Sequence, residues 1–271
     1  FVWLISKVFR TEIHYFVIGG WIAEFIKNKP IHKFIIRRIN KIYCETDSMV
    51  QKLSSWYGYT NVVWLPNIRI HNFNPSILHK NEDPLRLVFM ARITKLKGID
   101  VIFRLADNLK KSLPKNAVII DFYGPLVDSD KAEFFEGVSK TDFISYKGIL
   151  GQENLFDTIS TYDIMLFPTR YPGEGFPGTI LDSYISGIPV VASDWRYNSE
   201  LVINGHTGFV FDHNNEELVV DILVNLYNDR NLLFRLKQNA LQKSKDYTPE
   251  KIWRIIEQHT ELNTNNSTST R

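Results

Sequence analysis

The stretch FPTRYPGEGFPGTILDSYISGIPVV (residues 167–191) joins the end of an apolar strand pattern, a loop rich in glycine and proline, and a helix pattern that begins near Thr179. Glu174 lies in the loop, and Asp182 lies eight residues later in the helix. Neither carboxylate suits an apolar core, because an unpaired charge is costly to bury. The stretch therefore predicts a strand–loop–helix unit that faces a ligand. The alternative is an ordinary acidic helix start that interacts favourably with the helix dipole.

The same alternation of strand and helix continues in both directions. Helix patterns separate the apolar strands predicted in the second part of the chain, at 85–91, 117–124, 143–149, 163–169, 189–193 and 207–212. Earlier strands are predicted at 14–20, 41–46 and 61–67. Short strands that alternate with helices predict an α/β fold with parallel sheets. Ligands of such folds bind beyond the carboxyl ends of the strands.

A polar stretch without clear periodicity, residues 68–84, predicts a linker between two domains. The opening residues 1–9, FVWLISKVF, predict a strand inside a domain, so we expect the chain to be a piece of a longer protein. The predicted parts are the latter portion of a first domain plus the linker (1–81), a second domain (82–247), a closing helix (248–262) and a disordered tail (263–271).

Composition favours a soluble globular protein, with 44% hydrophobic and 23% charged residues. A single cysteine, Cys44, excludes a disulfide framework and a cysteine-based zinc site. The histidines form no ligand pair at helical spacing, so no metal is expected. No apolar run reaches the roughly 18 residues that a membrane-spanning helix needs.

Positive charge is concentrated early in the chain. Residues 1–80 contain 11 Lys or Arg against 4 Asp or Glu, and the segment 26–41 contains no acid. This segment is either a solvated helix face or a surface for anionic lipid headgroups or a phosphorylated lipid. A nucleic-acid partner is not expected, because the basic residues do not continue along the chain and no nucleic-acid motif accompanies them.

Two loops have the composition of an anion site. Arg92 and Lys97 lie in ARITKLKG (91–98), directly after a predicted strand. Two cations beside a helix start suit a diphosphate, although a solvated basic turn remains the alternative. In EGFPG (174–178), glycines permit close approach of the backbone to a ligand, and a phosphate there would gain from the dipole of the next helix. An ionised carboxylate can accept hydrogen bonds from a vicinal diol such as a ribose.

Three further features have a structural interpretation. DSD (128–130) has the Asp-x-Asp form of some metal sites, but Asp130 with Glu133 predicts a capping box at a helix start. Ser48 is predicted to cap the helix that follows it. His14, just before a predicted glycine turn, is assigned a structural role.

Together these segments resemble the retaining glycosyltransferases of family GT4, which have the two-domain GT-B fold. The resemblance rests on ARITKLKG with Ala91 where glycine is usual, on the Glu-x7-Glu signature in EGFPGTILD with Asp182 as the second acid, and on ISYKGIL, YDIMLFPT, SGIPVVASDW and ELVINGHTGFVFD. The first 80 residues resemble the latter part of the family's acceptor-binding domain, and the final helix resembles the segment that crosses back to it.

The resemblance implies a role for each matching residue. Arg92 and Lys97 would neutralise the donor diphosphate, Glu174 would bind the donor hexose, and Asp182 would hold the ribose hydroxyls. Arg92, Lys97 and Glu174 are therefore the predicted catalytic residues. The other predicted donor-binding positions are Gly124, Ile149 (through its backbone), Gly175, Phe176, Pro177, Gly178 and Thr179.

The implied activity is transfer of a hexose from a nucleoside diphosphate sugar to a glycan or lipid-linked acceptor with retention of configuration. The setting would be surface polysaccharide or glycolipid biosynthesis, in the cytoplasm and peripherally at the inner face of the membrane. No metal or other cofactor would be needed. A non-catalytic nucleotide-sugar-binding fragment and a nucleotide-sugar 2-epimerase of the same fold are the alternatives, although an epimerase would lack the Glu174–Asp182 pair.

Overall fold

A computed structural model describes residues 2–75, 83–213 and 215–260 of the 271-residue chain. The predicted tail lies outside these residues, as does part of the predicted linker. Packing divides the chain into two units, and the domain boundaries given above stay predictions. The first unit takes its described residues from 1–70, 172–176 and 247–271, and the second takes them from 71–171 and 177–246.

The strands are β1 (His14–Phe16), β2 (Lys41–Cys44), β3 (Val62–Trp64), β4 (Leu85–Met90), β5 (Val118–Tyr123), β6 (Ile144–Tyr146), β7 (Ile164–Phe167), β8 (Val190–Ser193) and β9 (Gly208–Phe211). The helices are α1 (Val2–Phe9), α2 (Ile22–Ile26), α3 (Pro30–Ile36), α4 (Asp47–Tyr57), α5 (Ile99–Ser112), α6 (Lys131–Ser139), α7 (Leu155–Ser160), α8 (Gly178–Ile185), α9 (Asn198–Leu201), α10 (Glu216–Asn228), α11 (Arg230–Ser244) and α12 (Pro249–Gln258). Among the described residues, no helix combines the length and the apolar character needed to cross a bilayer.

The first unit contains a three-stranded parallel sheet in the order β1-β2-β3. The central strand β2 is the most buried, and Ile42, Tyr43 and Cys44 on it are almost fully covered. α4 begins after Thr46, whose hydroxyl oxygen accepts the Met49 N–H at 3.3 Å, and ends at Gly58 in the left-handed region. The prediction of Ser48 as the cap was therefore wrong, because Ser48 already lies inside the helix.

The opening residues also differ from the prediction. Residues 2–9 form a helix and not a strand, and the Ser6 hydroxyl donates to the Trp3 carbonyl at 2.8 Å, one helical turn back. A short, nearly continuous apolar run has no period that separates strand from helix, so the sequence pattern did not decide between them.

The second unit contains a six-stranded parallel sheet in the order β6-β5-β4-β7-β8-β9. The chain runs outward from β4 through β5 and β6, and then returns to the other side of β4 with β7. The strand order therefore reverses between β4 and β7, where Leu87 pairs with Ile164 and Val88 with Met165. Loops diverge at such a point and leave room for a ligand at the carboxyl ends of the strands.

The core of the second unit lies on both faces of this sheet. Leu87, Phe89, Ile120 and Phe122 are at most 1% exposed, and the rings of Phe89 and Phe122 lie 5.2 Å apart. The helices α5 and α10 contribute apolar side chains such as Leu105 to the same cluster. Three consecutive residues are buried in each of β4 and β5, as expected for parallel strands that are covered on both faces. Such strands have short, nearly continuous apolar sequences, which is why they could be recognised from sequence.

A buried ion pair joins α11 to the start of β7. Lys237 Nζ lies 2.7 Å from Asp163 Oδ1, and both side chains are at most 2% exposed. Asp163 Oδ2 also accepts the Arg86 N–H at 2.9 Å, at the edge of β4. Burial lowers the pKa of Lys237, and the Asp163 carboxylate opposes this change.

Candidate active site

The loop after β4 carries Arg92 and Lys97 and is packed against the loop after β7. A short turn at Lys95–Lys97 ends at Gly98, whose φ is +85°. A Cβ at this position would lie 2.1 Å from the Pro168 carbonyl oxygen. Only glycine permits this approach, which brings the carboxyl ends of β4 and β7 together.

Arg170 fixes the same two loops to each other. Its N–H donates to the Leu96 carbonyl at 2.8 Å, and its guanidinium donates to the Lys95 carbonyl at 3.0 Å. The guanidinium also donates to Asp100 Oδ1 at 2.8 Å, in the first turn of α5. These contacts hold the turn that precedes Lys97 in a defined position.

The two predicted cations share one aromatic ring. Arg92 Cζ lies 5.2 Å from the centre of the Tyr171 ring, and Lys97 Nζ lies 4.8 Å from it. Lys97 Nζ also lies 5.8 Å from the Phe167 ring. These distances are in the range of cation–π interaction. Arg92 is exposed and Tyr171 is half-buried, so this side of the edge is open to an anion.

Gly124 joins the ends of the next two strands to this edge. Its φ is +138°, and a Cβ there would lie 1.8 Å from the Ala91 carbonyl oxygen. Its N–H donates to the Gly148 carbonyl at 2.9 Å. Ile149 follows directly and is 71% exposed. The ends of β4, β5 and β6 therefore approach one another through backbone contacts.

The first turn of α8 lies beside the end of β4. Thr179 Oγ1 donates to the Met90 carbonyl at 3.0 Å, and no side chain caps the helix at Pro177. Amide groups at an uncapped helix start suit an anion. Asp182 lies one turn further on and is 5% exposed.

Glu174 belongs to the first unit, where backbone contacts hold the segment 172–176. The Gly20 N–H donates to the Gly173 carbonyl at 3.2 Å. Glu45 Oε2 accepts the Gly19 N–H at 3.3 Å and the Phe176 N–H at 3.1 Å. The Glu45 carboxylate therefore ties the glycine turn after β1 to the segment that carries Glu174, which is 7% exposed.

The absence of a side chain at Gly175 leaves room for the Glu45 carboxylate. A Cβ on residue 175 would lie 2.1 Å from Glu45 Oε2, so a larger residue would displace the carboxylate. Burial raises the pKa of Glu45, the Phe176 and Gly19 amides lower it, and the Glu174 charge raises it further. Phe176 is held by the Tyr247 ring, 5.0 Å away, and by the Asn67 amide, which donates to the Phe176 carbonyl at 3.3 Å.

The predicted site residues are thus divided between the units. The second unit brings together, along the carboxyl ends of its strands, Arg92, Lys97, Gly124, Ile149, Pro177, Gly178, Thr179 and Asp182. The first unit holds Glu174, Gly175 and Phe176. The predicted roles of all eleven stay predictions. Sequence reasoning missed Tyr171 and Glu45, whose only sequence signal is a position in the segment that follows an apolar strand.

The structure also describes His14 and Asp130, to which the sequence assigned structural roles. His14 contacts the Tyr43 hydroxyl at 3.1 Å and Glu12 at 2.9 Å, as a structural residue would. The capping box at Asp130 was wrong, because no side chain caps α6. The Asp130 carboxylate instead accepts the Lys95 N–H at 3.1 Å, while Glu133 pairs with the Lys95 ammonium at 2.6 Å.

Comparison with known proteins identifies the family and the fold of this chain. The model of the family described as "Glycosyl transferases group 1" matches residues 71–243. An uncharacterized glycosyltransferase of Methanocaldococcus jannaschii is 26% identical over 165 residues, which cover 61% of this chain and 42% of that protein. The lipopolysaccharide core biosynthesis mannosyltransferase LpsB of Rhizobium meliloti is 27% identical over 239 residues, or 83% of this chain and 66% of LpsB.

Among solved structures, a point mutant of S. aureus TarM, determined in complex with fondaparinux, alpha-GlcNAc-glycerol and UDP, is 20% identical with a TM-score of 0.75. The match covers 94% of this chain and 53% of TarM. The chain thus spans less than half of the M. jannaschii relative and about half of TarM. The prediction of an α/β, GT-B type fold with parallel sheets is confirmed by this likeness and by the two sheets.

Proposed function

Because the chain belongs to the glycosyl transferases group 1 family, we propose that it transfers a hexose from a nucleoside diphosphate sugar to an acceptor hydroxyl, with retention of anomeric configuration. The second unit serves as the donor-binding domain, and the first unit belongs to the acceptor-binding domain. The observation that carries the proposal is the convergence of Arg92 and Lys97 on one ring at the carboxyl edge of the second sheet.

Arg92 and Lys97 bind the diphosphate in this proposal. When the bond between sugar and phosphate breaks, negative charge builds on the leaving diphosphate, and cations already fixed beside it stabilise that charge. The amides at the start of α8 add positive potential on the same edge. Since side chains and amides neutralise the leaving group, the reaction needs no divalent metal, and activity is expected to persist in EDTA.

The carboxylates orient the sugar-bearing parts of the donor. Asp182 accepts hydrogen bonds from the ribose hydroxyls, and Glu174 accepts them from the hexose. The backbones of Gly175, Phe176, Pro177 and Gly178 lie along the donor, with Thr179 at the helix start. Gly124 leaves room for the nucleotide, and the Ile149 backbone contacts the base.

The acceptor is a lipid-linked glycan of a surface polysaccharide or glycolipid pathway. The first unit contains a cavity of about 510 Å³ whose lining is mostly apolar and includes Trp3, Trp21, Phe25 and Ile36. It extends to Gly19, in the turn that is hydrogen-bonded to the Glu174 segment through Glu45. The name of the relative LpsB supports a surface glycan as product.

A peripheral contact with the inner face of the membrane accompanies this acceptor, and the protein works in the cytoplasm. Segment 26–41 supplies the basic surface: Lys27, Arg37 and Arg38 are exposed, and Lys29 Nζ lies 3.1 Å from the centre of the Phe25 ring.

Vesicles of phosphatidylglycerol and phosphatidylcholine should bind the chain in low salt, and the triple variant K27Q/R37Q/R38Q should bind them less. Equal binding by both proteins would contradict the membrane contact.

The reaction itself is tested by donor turnover. The full chain is incubated with UDP-, GDP- and ADP-hexoses in EDTA, and the released or transferred sugar is followed by NMR. One donor should be consumed with its anomeric configuration kept, and E174Q should lower kcat by about 100-fold. E136Q, which changes an exposed acid on α6, should leave kcat unchanged. An inverted product would contradict retention, an epimerised donor would support the epimerase, and binding without turnover would support a non-catalytic module.

A further inference from the structure

Tyr171 is the residue on which both proposed diphosphate ligands converge. The Arg92 guanidinium and the Lys97 ammonium lie 5.2 Å and 4.8 Å from the centre of its ring. The two cations come from one end of the loop after β4 and from the turn before α5, within the motif ARITKLKG, and their spacing in the sequence does not show that their side chains meet. A single side chain from the loop after β7 brings them together.

Hydrogen bonds hold both the N–H and the carbonyl group of Tyr171. Its carbonyl accepts the Trp195 Nε1–H at 2.7 Å, and its N–H donates to Thr169 Oγ1 at 3.1 Å. The preceding residue, Arg170, is held by Leu96 and Asp100. The ring is therefore carried by a rigid loop, and a substitution that changes only the ring leaves these contacts in place.

An aromatic ring holds cations in a way that suits anion binding. Two like charges close together repel each other, and the negative face of a ring offsets part of that repulsion. A carboxylate would attract the cations more strongly, but it would also neutralise them and repel an incoming phosphate. A neutral ring can orient cations and carries no charge that would repel a phosphate.

We propose that Tyr171 is a positioning residue that orients Arg92 and Lys97 toward the diphosphate of the donor. The proposal rests on the proposed function, because it assigns to those cations a nucleoside diphosphate as ligand. Tyr171 acts through the two cations, so its contribution belongs to the diphosphate and not to the nucleoside.

Two variants separate the ring from the rest of the side chain. Tyr171→Phe keeps the ring and removes the hydroxyl, and Tyr171→Leu removes the ring but keeps apolar bulk. Tyr171→Met is a second variant without a ring, should the leucine variant not fold. Tyr227→Leu is the matched control, because Arg230 lies 5.1 Å from the Tyr227 ring in the same unit but away from the carboxyl edge.

The experiment is calorimetric titration of the full chain with UDP, UMP and uridine, or with the GDP or ADP series if the wild type binds that nucleotide instead. Tyr171→Leu should weaken binding of the diphosphate about fivefold to tenfold, the equivalent of one cation–π contact, and should leave binding of the nucleoside unchanged. Tyr171→Phe and Tyr227→Leu should bind like the wild type.

Different results would overturn the role of Tyr171 and the proposed function. An equal loss for diphosphate and nucleoside would show that the ring only supports the fold, and would overturn the proposal, as would an unchanged affinity of Tyr171→Leu for the diphosphate. A wild type that binds none of the nine compounds would contradict the proposed function itself, and this inference would fall with it.

Discussion

Gly98 and Gly148 have the same φ, +85°, in the same unit, but their surroundings differ. A Cβ on Gly98 would meet the backbone of Pro168 at 2.1 Å, whereas no atom lies within 4 Å of a Cβ built on Gly148. The first glycine is required by packing between two loops, and the second only by its backbone conformation. The two positions therefore separate the cost of a left-handed residue from the cost of a clash.

Gly98→Ala should lower the free energy of unfolding by about 3 kcal/mol or more, since it adds overpacking against backbone to the strain at positive φ. Gly148→Ala should cost only about 1–2 kcal/mol, the strain alone. Urea unfolding of both variants measures the difference. Equal costs would show that the loops after β4 and β7 separate easily, contrary to the geometry described above.

Glu45 makes the stability of the protein depend on pH. Its pKa is raised above the ordinary value of 4.5, chiefly by burial and further by the facing carboxylate of Glu174. A raised pKa means that the folded state binds the proton more tightly than the unfolded state does. The contribution of Glu45 is therefore most favourable below pH 4.5 and is lost as pH rises through the folded-state pKa.

Glu45→Gln should remove this dependence while keeping an oxygen that can accept the Phe176 and Gly19 amides. The stability of the variant relative to wild type should increase as pH rises from about 4.5, as measured by urea unfolding at several pH values. Glu136→Gln is the control of opposite sign, because Lys140 lowers the pKa of Glu136. A stability difference between Glu45→Gln and wild type that does not change with pH would contradict the assignment.

Single residues were predictable where a local pattern carried them. Arg92, Lys97 and Glu174 belong to short motifs with glycine neighbours, and the sequence singled them out for that reason. Tyr171 contacts Lys97, which lies 74 residues earlier in the chain. Glu45 contacts Phe176, which lies 131 residues later. No local spacing encodes contacts of that kind.

At the scale of elements, the buried pair of Lys237 and Asp163 attaches α11 to the sheet of the second unit. Water is excluded from both groups, so the loss of one partner leaves the other buried without full compensation. Lys243 lies on the same helix and pairs with Asp246 at 3.2 Å, but its partner is 49% exposed. The helix thus offers a buried and an exposed ion pair of the same residue types.

Lys237→Met should lower the free energy of unfolding by about 3–5 kcal/mol, because the Asp163 carboxylate stays buried. Lys243→Met should cost about 0–1 kcal/mol. Adding Asp163→Asn to Lys237→Met should recover part of the loss, since an amide oxygen can still accept the Arg86 N–H. Chemical denaturation of the four proteins, including wild type, tests this, and similar costs for the two lysine variants would refute the account of the buried pair.

Element types in the second unit were predictable, because apolar strands alternate with amphipathic helices there. The predicted strands at 85–91 and 117–124 exceed β4 and β5 by one and two residues, because the small residues Ala91, Ala117 and Gly124 lie next to the first or last ladder pair. The caps were less predictable. Thr46 and not Ser48 caps α4, and Asp130 binds the Lys95 amide, 35 residues away in the chain, in place of an amide of its own helix.

At the scale of the whole molecule, the sequence predicted parallel sheets but not the order of their strands. The reversal between β4 and β7 follows from which strands pair, and this depends on contacts between residues such as Leu87 and Ile164, far apart in the chain. That reversal explains why the loops after β4 and β7 meet and why Arg92, Lys97 and Tyr171 share one place. The motifs thus identified the candidate residues, and the strand order explains why those residues lie close together.

The proposed function requires that the carboxyl edge of the second sheet binds a nucleoside diphosphate sugar. Saturation-transfer difference NMR measures this binding, with the full chain and a panel of UDP-, GDP- and ADP-hexoses, beside R92A and the exposed-site control K110A on α5. One donor should show transfer to its nucleotide and sugar protons, R92A should lose the signal, and K110A should keep it. No signal from a folded chain with any donor, or an R92A variant that binds as well as wild type, would rule out this donor site.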